Sequence, residues 1–192
     1  IPADVHAQWV SVGGDLVEAS LWSPALAPEG RGRSCLLLDE AGAAHALSSP
    51  EGMAANTPAE RVEVAPLGAF IAEADPAVIR SGLLGRLADK TGAGLVSDKI
   101  AYLTGDDLPD NPFYDRFEVL EVTNLRAKAI SAALTSRDAG SVEIKKRGAD
   151  INPDELRKSL KLGGGSAQLT VIATRLAGRH RAIICKRLPK NL

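Results

Sequence analysis

Short apolar stretches separated by turn residues fill the first part of the chain. The segments QWVSV and LVEASLW flank the sequence GGD, and a Gly-Gly pair between two apolar stretches is typical of a β-hairpin. The apolar run CLLL at residues 35–38 follows a loop rich in Pro and Gly, and the dipeptide AG soon after it is a further turn signal. The pattern predicts a small antiparallel β-meander over residues 1–53.

A helical pattern dominates the middle of the chain. In the segment DPAVIRSGLLGRLADKTG, Asp75 is a candidate N-cap and Pro76 occupies the first helical position. Apolar residues then recur at helical spacing, and Gly92 closes the segment as a C-cap. A short strand and a Pro-rich stretch follow. We therefore predict a helix-containing connector over residues 54–112, with a domain boundary near residues 109–112.

Strands and helices alternate in the last segment, residues 113–192. FEVLEV and SVEIKK are predicted strands, and Asn124 is predicted to cap a helix between them. Asn152 and Pro153 begin a second helix with a capping box, which the glycine run at 163–165 is predicted to end. QLTVIATRL and RAIICKRL form a closing hairpin. The order β-α-β-α-β-β predicts an α+β layer, with helices covering one face of a sheet.

Charge is distributed unevenly along the chain. The formal net charge is −1, but residues 1–112 carry seven Lys and Arg against 16 Asp and Glu, whereas residues 113–192 carry 16 against eight. An acidic part joined to a basic part is a feature of modules that bind polyanions. The alternative is that the two oppositely charged parts attract each other.

Basic residues of the last segment lie at predicted strand ends, on the second helix and at the closing hairpin. If these positions meet at one edge, they form a surface that binds phosphate with strong salt dependence and little sequence reading. The alternative is a solvated face. Few aromatic rings accompany the cations, so we expect recognition of the backbone or shape of folded RNA rather than base stacking. The candidate nucleic-acid-binding residues are Lys145, Lys146, Arg147, Arg157, Lys158, Arg175, Arg179 and Arg181.

Other chemistry has weak support in the sequence. There is no dinucleotide or Walker phosphate motif and no zinc-protease motif, and the three histidines lie in separate contexts, so no catalytic, cofactor or metal residue is predicted. Cys35 and Cys185 are predicted to be buried thiols in a reducing cytoplasm rather than a disulfide. No apolar run is long enough to span a membrane, and the first residues lack the pattern of a secretory signal. These features predict a cytoplasmic protein.

Several segments resemble a known family. QWVSVGGDLVEASLW, AYLTGD, FEVLEV, VEIKKRGADINPDELRKSLKLGG and TVIATRLAGRHRAIICKR are similar to the C-terminal part of bacterial class I SAM-dependent methyltransferases that end in a THUMP-like domain. The resemblance implies that residues 1–53 are the terminal strands of a methyltransferase sheet, that residues 54–112 are a helical or ferredoxin-like connector, and that residues 113–192 are a basic THUMP-like α+β domain.

The same resemblance implies that the catalytic core lies outside this chain. The family's SAM-binding glycine turn, ribose-binding acid and catalytic Asp-Pro motif would precede residue 1, and the chain does not begin with Met. We therefore expect a C-terminal fragment of an enzyme that transfers a methyl group from SAM to RNA, such as tRNA or rRNA, with this chain recognising the substrate and binding no cofactor itself. The alternative is a non-catalytic scaffold or protein-interaction domain. A β-meander without the rest of its sheet would expose strand edges, so dimerisation by strand exchange is a further expectation.

Overall fold

The computed structural model describes residues 1–190, which form eleven strands and four helices. The predicted α+β class is confirmed. The strands are β1 (His6–Val12), β2 (Asp15–Trp22), β3 (Gly32–Leu38), β4 (Ala44–Ser48), β5 (Phe70–Ala74), β6 (Gly94–Ser97), β7 (Ile100–Gly105), β8 (Tyr114–Asn124), β9 (Ala139–Lys146), β10 (Ala167–Leu176) and β11 (Arg179–Arg187). The helices are α1 (Pro76–Ser81), α2 (Leu84–Thr91), α3 (Ala127–Thr135) and α4 (Pro153–Ser159).

The first four strands form a sheet in the order β2-β1-β3-β4. The β1/β2 hairpin turns at the predicted glycine pair, and β3 and β4 also pair antiparallel. The pairing of β1 with β3 is parallel, in contrast to the antiparallel pairing expected throughout. The reason is that His6 lies opposite both Trp22 and Gly32, so the Pro/Gly loop between β2 and β3 carries the chain across the start of β1.

Strand β2 is an exposed edge of this sheet. Seven of its eight residues are exposed, including Leu16, Val17, Leu21 and Trp22. An edge strand with unprotected apolar side chains is a template for pairing with another chain. Dimerisation by strand exchange stays a prediction.

The connector contains two short helices where the sequence analysis predicted one. Asp75 caps α1 as predicted, with its carboxylate accepting from the Ala77 amide at 2.7 Å. Gly82 then ends α1 with φ +74°, a left-handed conformation that favours glycine, and α2 begins two residues later. The apolar spacing continues through both helices, which explains why periodicity alone suggested a single element.

The other seven strands form one continuous sheet in the order β6-β7-β5-β8-β11-β10-β9. The predicted boundary near residues 109–112 lies in the loop between β7 and β8, and the sheet takes strands from both sides of that loop. The last six elements follow the predicted order β-α-β-α-β-β. Division of the chain at residues 53 and 112 stays a prediction.

Helices α3 and α4 begin differently. Asn152 caps α4 as predicted and accepts from the amides of Asp154 and Glu155. The predicted cap of α3 was wrong, because Asn124 is the last residue of β8 and Arg126 occupies the N-cap without a side-chain bond. The Asn124 amide oxygen instead accepts from Arg181 on β11.

Three apolar cores hold these layers together. One lies between the four-stranded sheet and the connector and includes Cys35 and Leu87. A second lies between α3 and the seven-stranded sheet and includes Ile130 and Val171. The third fills the opposite face of that sheet, around Phe117.

The seven-stranded sheet is strongly curved around this third core. Strands β5 and β9 are four steps apart in the sheet, which is about 19 Å if the sheet were flat. The Lys145 ammonium on β9 nevertheless lies 2.7 Å from the Glu73 carboxylate on β5. The face opposite the helices is therefore concave, and side chains that point into it meet those of distant strands.

The glycine run 163–165 has a different role from the predicted helix stop. Helix α4 ends at Ser159, and the run then packs against the start of β9, where the amides of Gly163 and Gly164 both donate to the Ala139 carbonyl. Any Cβ at Gly165 would overlap the Asp138 carboxylate. Glycine is required here for close approach of two backbones.

Replacement of Gly140 by Ala tests this close approach. The added Cβ would overlap the Gly165 carbonyl oxygen, so we expect a loss of about 2 kcal/mol in the free energy of unfolding. Ser141→Ala is the control, because residue 141 is exposed and should change stability by less than about 0.5 kcal/mol. Equal denaturation midpoints for the two variants would contradict the packing described.

No helix in the described part of the chain has the length and hydropathy needed to cross a membrane.

Candidate nucleic-acid interface

Strand register brings several of the predicted cations to one edge of the seven-stranded sheet. Lys146 lies opposite Ala173 across the parallel β9/β10 pair, and Arg175 lies opposite His180 across the β10/β11 hairpin. Arg181 lies opposite Asn124 at the end of β8. The carboxyl ends of β8, β9 and β10 and the start of β11 thus share one edge. We call its cations the basic rim: Lys146, Arg147, Arg175, Arg179 and Arg181.

Most of the rim cations face solvent. Lys146, Arg175 and Arg179 are exposed, and Arg181 is half-buried. Arg181 donates to the Asn124 amide oxygen at 2.6 Å, and the Lys146 ammonium donates to the Ile151 carbonyl at 2.8 Å. These are bonds to neutral acceptors, so the positive charges remain available to an anion.

Lys145 points to the opposite face from Lys146 and is bound within the fold. Its ammonium lies 2.7 Å from Glu73 and 3.4 Å from Glu143, and only 20% of its side chain is exposed. Burial acts to lower the Lys145 pKa, but the hydrogen bond and charge of Glu73 outweigh it and the net shift is upward. Lys145 therefore belongs to the concave face rather than to the solvent-facing rim.

Arg147 lies at the rim but also turns towards the concave face. Its guanidinium is 3.8 Å from Glu73 and 5.6 Å from the centroid of the Tyr102 ring. Its side chain is 37% exposed. Glu73, in the acidic first part of the chain, thus forms ion pairs with two cations of the basic last segment. Attraction between these two parts was the alternative explanation of the uneven charge.

Arg187 extends this charge network along the concave face. It donates to Asp115 on β8 and to Glu143 on β9, at 3.0 Å for the latter, and its guanidinium lies 4.8 Å from the Phe117 centroid. Burial tends to raise the pKa of both carboxyl groups, but bonds to Arg187 leave the pKa of each below its ordinary value. The network therefore connects strands β5, β8, β9 and β11 through Glu73, Asp115, Glu143, Lys145 and Arg187.

The two predicted cations on α4 do not reach the rim. Arg157 donates to the Val142 carbonyl at 2.7 Å, near the start of β9, and Lys158 is exposed beside it. Helix α4 begins at the rim end of β9 and runs back, so its last turn is directed away from the rim. All eight candidates stay predictions as nucleic-acid contacts.

The sequence analysis missed a basic groove on the outer side of the helices. Lys128 on α3 and Lys161 beyond α4 line it, together with four hydroxyl side chains, and its volume is about 750 Å³. The available signal was the sequence of α3, AKAISAALT, which carries Lys128 and contains no acidic residue.

The thiols and acidic residues show no arrangement for metal binding. Cys35 and Cys185 are both free and buried, as predicted, and burial raises the pKa of each thiol to about 12. Within residues 1–190 no group of three or more His, Cys, Asp or Glu residues could hold a metal ion.

Comparisons with known proteins identify relatives of this fold. A family model described as THUMP domain-like matches residues 115–187. Two proteins of Mycobacterium tuberculosis, from strains CDC 1551 and H37Rv, are each named an uncharacterized S-adenosylmethionine-dependent methyltransferase and are 36% identical to this chain over 167 residues. Each alignment covers 87% of this chain and 43% of the relative, so the chain spans less than half of their length.

A solved structure extends the similarity beyond the THUMP-like segment. It is described as "putative methyltransferase from Porphyromonas gingivalis W83" and superposes with a TM-score of 0.70 over 97% of this chain and 47% of that chain, at 16% sequence identity. Such a likeness establishes a shared fold. Residues 115–187 thus match a THUMP domain-like family model, and most of the chain is similar to proteins named as SAM-dependent methyltransferases, over less than half of their length.

Proposed function

We propose that this chain is the substrate-recognition part of a SAM-dependent methyltransferase and that it binds structured RNA, such as tRNA or a segment of rRNA. The observation that carries the proposal is the basic rim, where the ends of four strands gather five cations at one edge. The names of the M. tuberculosis relatives support the methyltransferase part. An edge of this kind holds phosphates and positions the RNA without reading bases.

The aromatic side chains of the domain favour backbone recognition over base stacking. Tyr114 and Phe117 are fully buried, and Phe113 packs against the first core. Stacking platforms require exposed rings. The rim therefore has to act through charge and shape, which suits folded RNA better than an unpaired strand.

SAM would supply the methyl group to such an enzyme, but the glycine run at residues 163–165 does not fit a SAM site. In the glycine run, the amides of Gly163 and Gly164 are already bonded to the Ala139 carbonyl. Gly165 packs directly against Asp138. We therefore assign no catalytic residue to this chain and place its contribution in holding the RNA.

Removal of three exposed rim cations tests the proposal. We expect Lys146→Ala/Arg175→Ala/Arg179→Ala to weaken tRNA binding about 30-fold near 100 mM salt, because three phosphate contacts are lost. The slope of log affinity against log salt should fall by about 2. Titration of labelled tRNA and an rRNA hairpin at several salt concentrations measures both quantities, with circular dichroism confirming the fold.

A control variant removes the same charge elsewhere. Arg61, Arg80 and Lys90 are exposed and lie before the THUMP-like domain, so their replacement by Ala should leave the salt slope unchanged. Equal losses in both triple variants would indicate long-range attraction rather than contact at the rim. Absence of RNA binding by the folded wild-type chain at low salt would overturn the proposal and leave the rim as a protein-docking or solvated surface.

A further inference from the structure

A groove runs between the outer side of α3 and the chain that follows α4. Its walls are Lys128, Ser131, Ala132, Thr135 and Ser136 on one side and Ser159 and Lys161 on the other, and the open space between them has a volume of about 750 Å³. The Lys161 amide donates to the Ser131 hydroxyl at 3.0 Å, which fixes the two walls to each other. Ala132 is an exposed residue of the first wall.

Several polar groups of the groove lack partners within the described residues. Neither the Lys128 nor the Lys161 ammonium forms an ion pair there, and the Thr135 hydroxyl forms no hydrogen bond there. Ser136 and Ser159 donate to carbonyls of their own helices and keep acceptor capacity. Two free ammonium groups and a free hydroxyl present several donors to one space, an arrangement that suits phosphate oxygens.

Among the described residues, no acidic side chain lines the groove beside these cations. None of its wall residues is Asp or Glu, and α3 contains no acidic residue. The acids of α4, Asp154 and Glu155, lie in its first turn, whereas Ser159 ends it. The groove is therefore complementary to an anion along its length.

The start of α3 lies close in sequence to the basic rim. Arg181 of the rim is bonded to Asn124, and α3 begins three residues after Asn124. Arg126 is exposed at the N-cap of α3, and Lys128 follows within the first turn. Lys128 and Thr135 are about 10 Å apart along the helix axis. Arg126 and Lys128 thus lie along the chain between the end of β8 at the rim and the walls of the groove.

We propose that the α3/α4 groove is a second binding site for the phosphodiester backbone of the RNA held at the rim. This inference rests on the proposed function and adds a path: the RNA leaves the rim past Arg126 and lies along α3, between Lys128 and Lys161. The small side chain of Ala132 allows the backbone to approach the helix, and the hydroxyl of Thr135 donates to a phosphate oxygen.

A single charge placed in the groove tests the site without altering its lysines. Ala132→Glu introduces a carboxylate where a phosphate would lie, and Glu is a good helix former, so α3 should persist. Ala132→Gln reproduces the size without the charge. Ala25→Glu makes the same change in net charge at an exposed position in the loop after β2. Affinities for a tRNA transcript and an rRNA hairpin are measured at about 50 and 200 mM salt.

We expect Ala132→Glu to weaken RNA binding at least about fivefold at low salt, with less than a twofold change for Ala132→Gln and Ala25→Glu. Lys128→Ala/Lys161→Ala should lower the salt slope by about 1.5, as two lost phosphate contacts predict. Wild-type binding that depends on the rim but is unchanged in Ala132→Glu would overturn the groove alone. Binding that is lost in Ala132→Glu but unchanged in the rim variant would support the groove and overturn the rim. Absence of wild-type binding would overturn both.

Discussion

Replacement of Arg33 by Met is expected to lower the free energy of unfolding by about 4 kcal/mol. The Arg33 guanidinium on β3 donates to three backbone carbonyls, those of Ala55 at 2.6 Å, Thr57 at 2.7 Å and Ser81 at 3.2 Å. A hydrogen bond to a charged group contributes about 1.5–3 kcal/mol, and the lower end applies because Arg33 is only half-buried. Met fills similar space but leaves all three carbonyls without this donor.

Two further variants make the prediction specific. Arg31→Met removes the same charge two residues earlier, where the exposed side chain makes one bond to the Gly52 carbonyl, and should cost less than about 1 kcal/mol. Arg33→Lys retains the charge but lacks the planar fork that reaches several acceptors, and should recover only part of the loss. Urea denaturation of the four proteins measures the differences. Similar midpoints for Arg33→Met and Arg31→Met would show that the guanidinium does not hold these elements together.

Arg33 matters because of what it connects. The carbonyls belong to the loop after β4 and to the last residue of α1, whereas Arg33 itself lies in the four-stranded sheet. The first apolar core spans the same boundary, with Cys35 and Leu37 packing against α1 and α2 residues such as Val78 and Leu87. The four-stranded sheet and the connector are therefore stabilised as one packed unit.

Local features of the fold followed from the sequence. Asp75 and Asn152 cap helices as predicted, because a short polar side chain before proline satisfies amides at a helix start wherever it occurs. The β-α-β-α-β-β order followed from periodicity, and the hairpin at the first glycine pair followed from turn chemistry. Each of these depends on residues a few positions apart.

The errors concern contacts between distant residues or competition between signals. The parallel pairing of β1 with β3 depends on the path of a loop, which periodicity does not describe. Asn124 has the chemistry of a helix cap, but Arg181 on β11 takes its amide oxygen, and that partner is distant in sequence. The glycine run 163–165 does follow a helix, but glycine is needed there because the run packs closely against Asp138 and Ala139.

The candidate site shows the same division. Strand periodicity places Lys146 on the face of Val142 and Ile144, and therefore places Lys145 on the other. The sequence does not show that the other face is closed by Glu73, because only the curvature of the seven-stranded sheet brings β5 and β9 together. The sequence analysis placed Lys145, Lys146 and Arg147 on one surface. In the structure Lys145 forms an ion pair within the fold, whereas Lys146 faces solvent.

We expect Lys145→Met to cost about 2–3 kcal/mol of stability near neutral pH, while the adjacent Lys146→Met costs less than about 0.5 kcal/mol. Breaking a buried ion pair typically costs about 3–5 kcal/mol, and partial exposure reduces it here, since 20% of Lys145 and 23% of Glu73 remain accessible. Lys146 is exposed, and within residues 1–190 its ammonium is bonded only to the Ile151 carbonyl. Thermal or urea unfolding of both variants beside the wild type measures the contrast. Equal stabilities of the two variants would show that the charge network does not stabilise the fold.

The pH dependence of this difference identifies its electrostatic origin. The pKa of Glu143 is below its ordinary value of 4.5, held there by Arg187 and Lys145 against the opposing effect of burial. A carboxyl group with a lowered pKa contributes stability above its unfolded pKa and loses it as pH falls through the folded value. The difference in the free energy of unfolding between wild type and Lys145→Met should therefore become smaller below about pH 4. The pKa of Lys145 is raised rather than lowered, so its contribution to stability is lost at high pH instead of low pH. The difference in the free energy of unfolding should therefore also become smaller as pH rises beyond the ordinary lysine value of 10.5. A gap that stays constant from pH 3 to pH 8 would mean that Lys145 stabilises the sheet through packing of its aliphatic stem rather than through its charge.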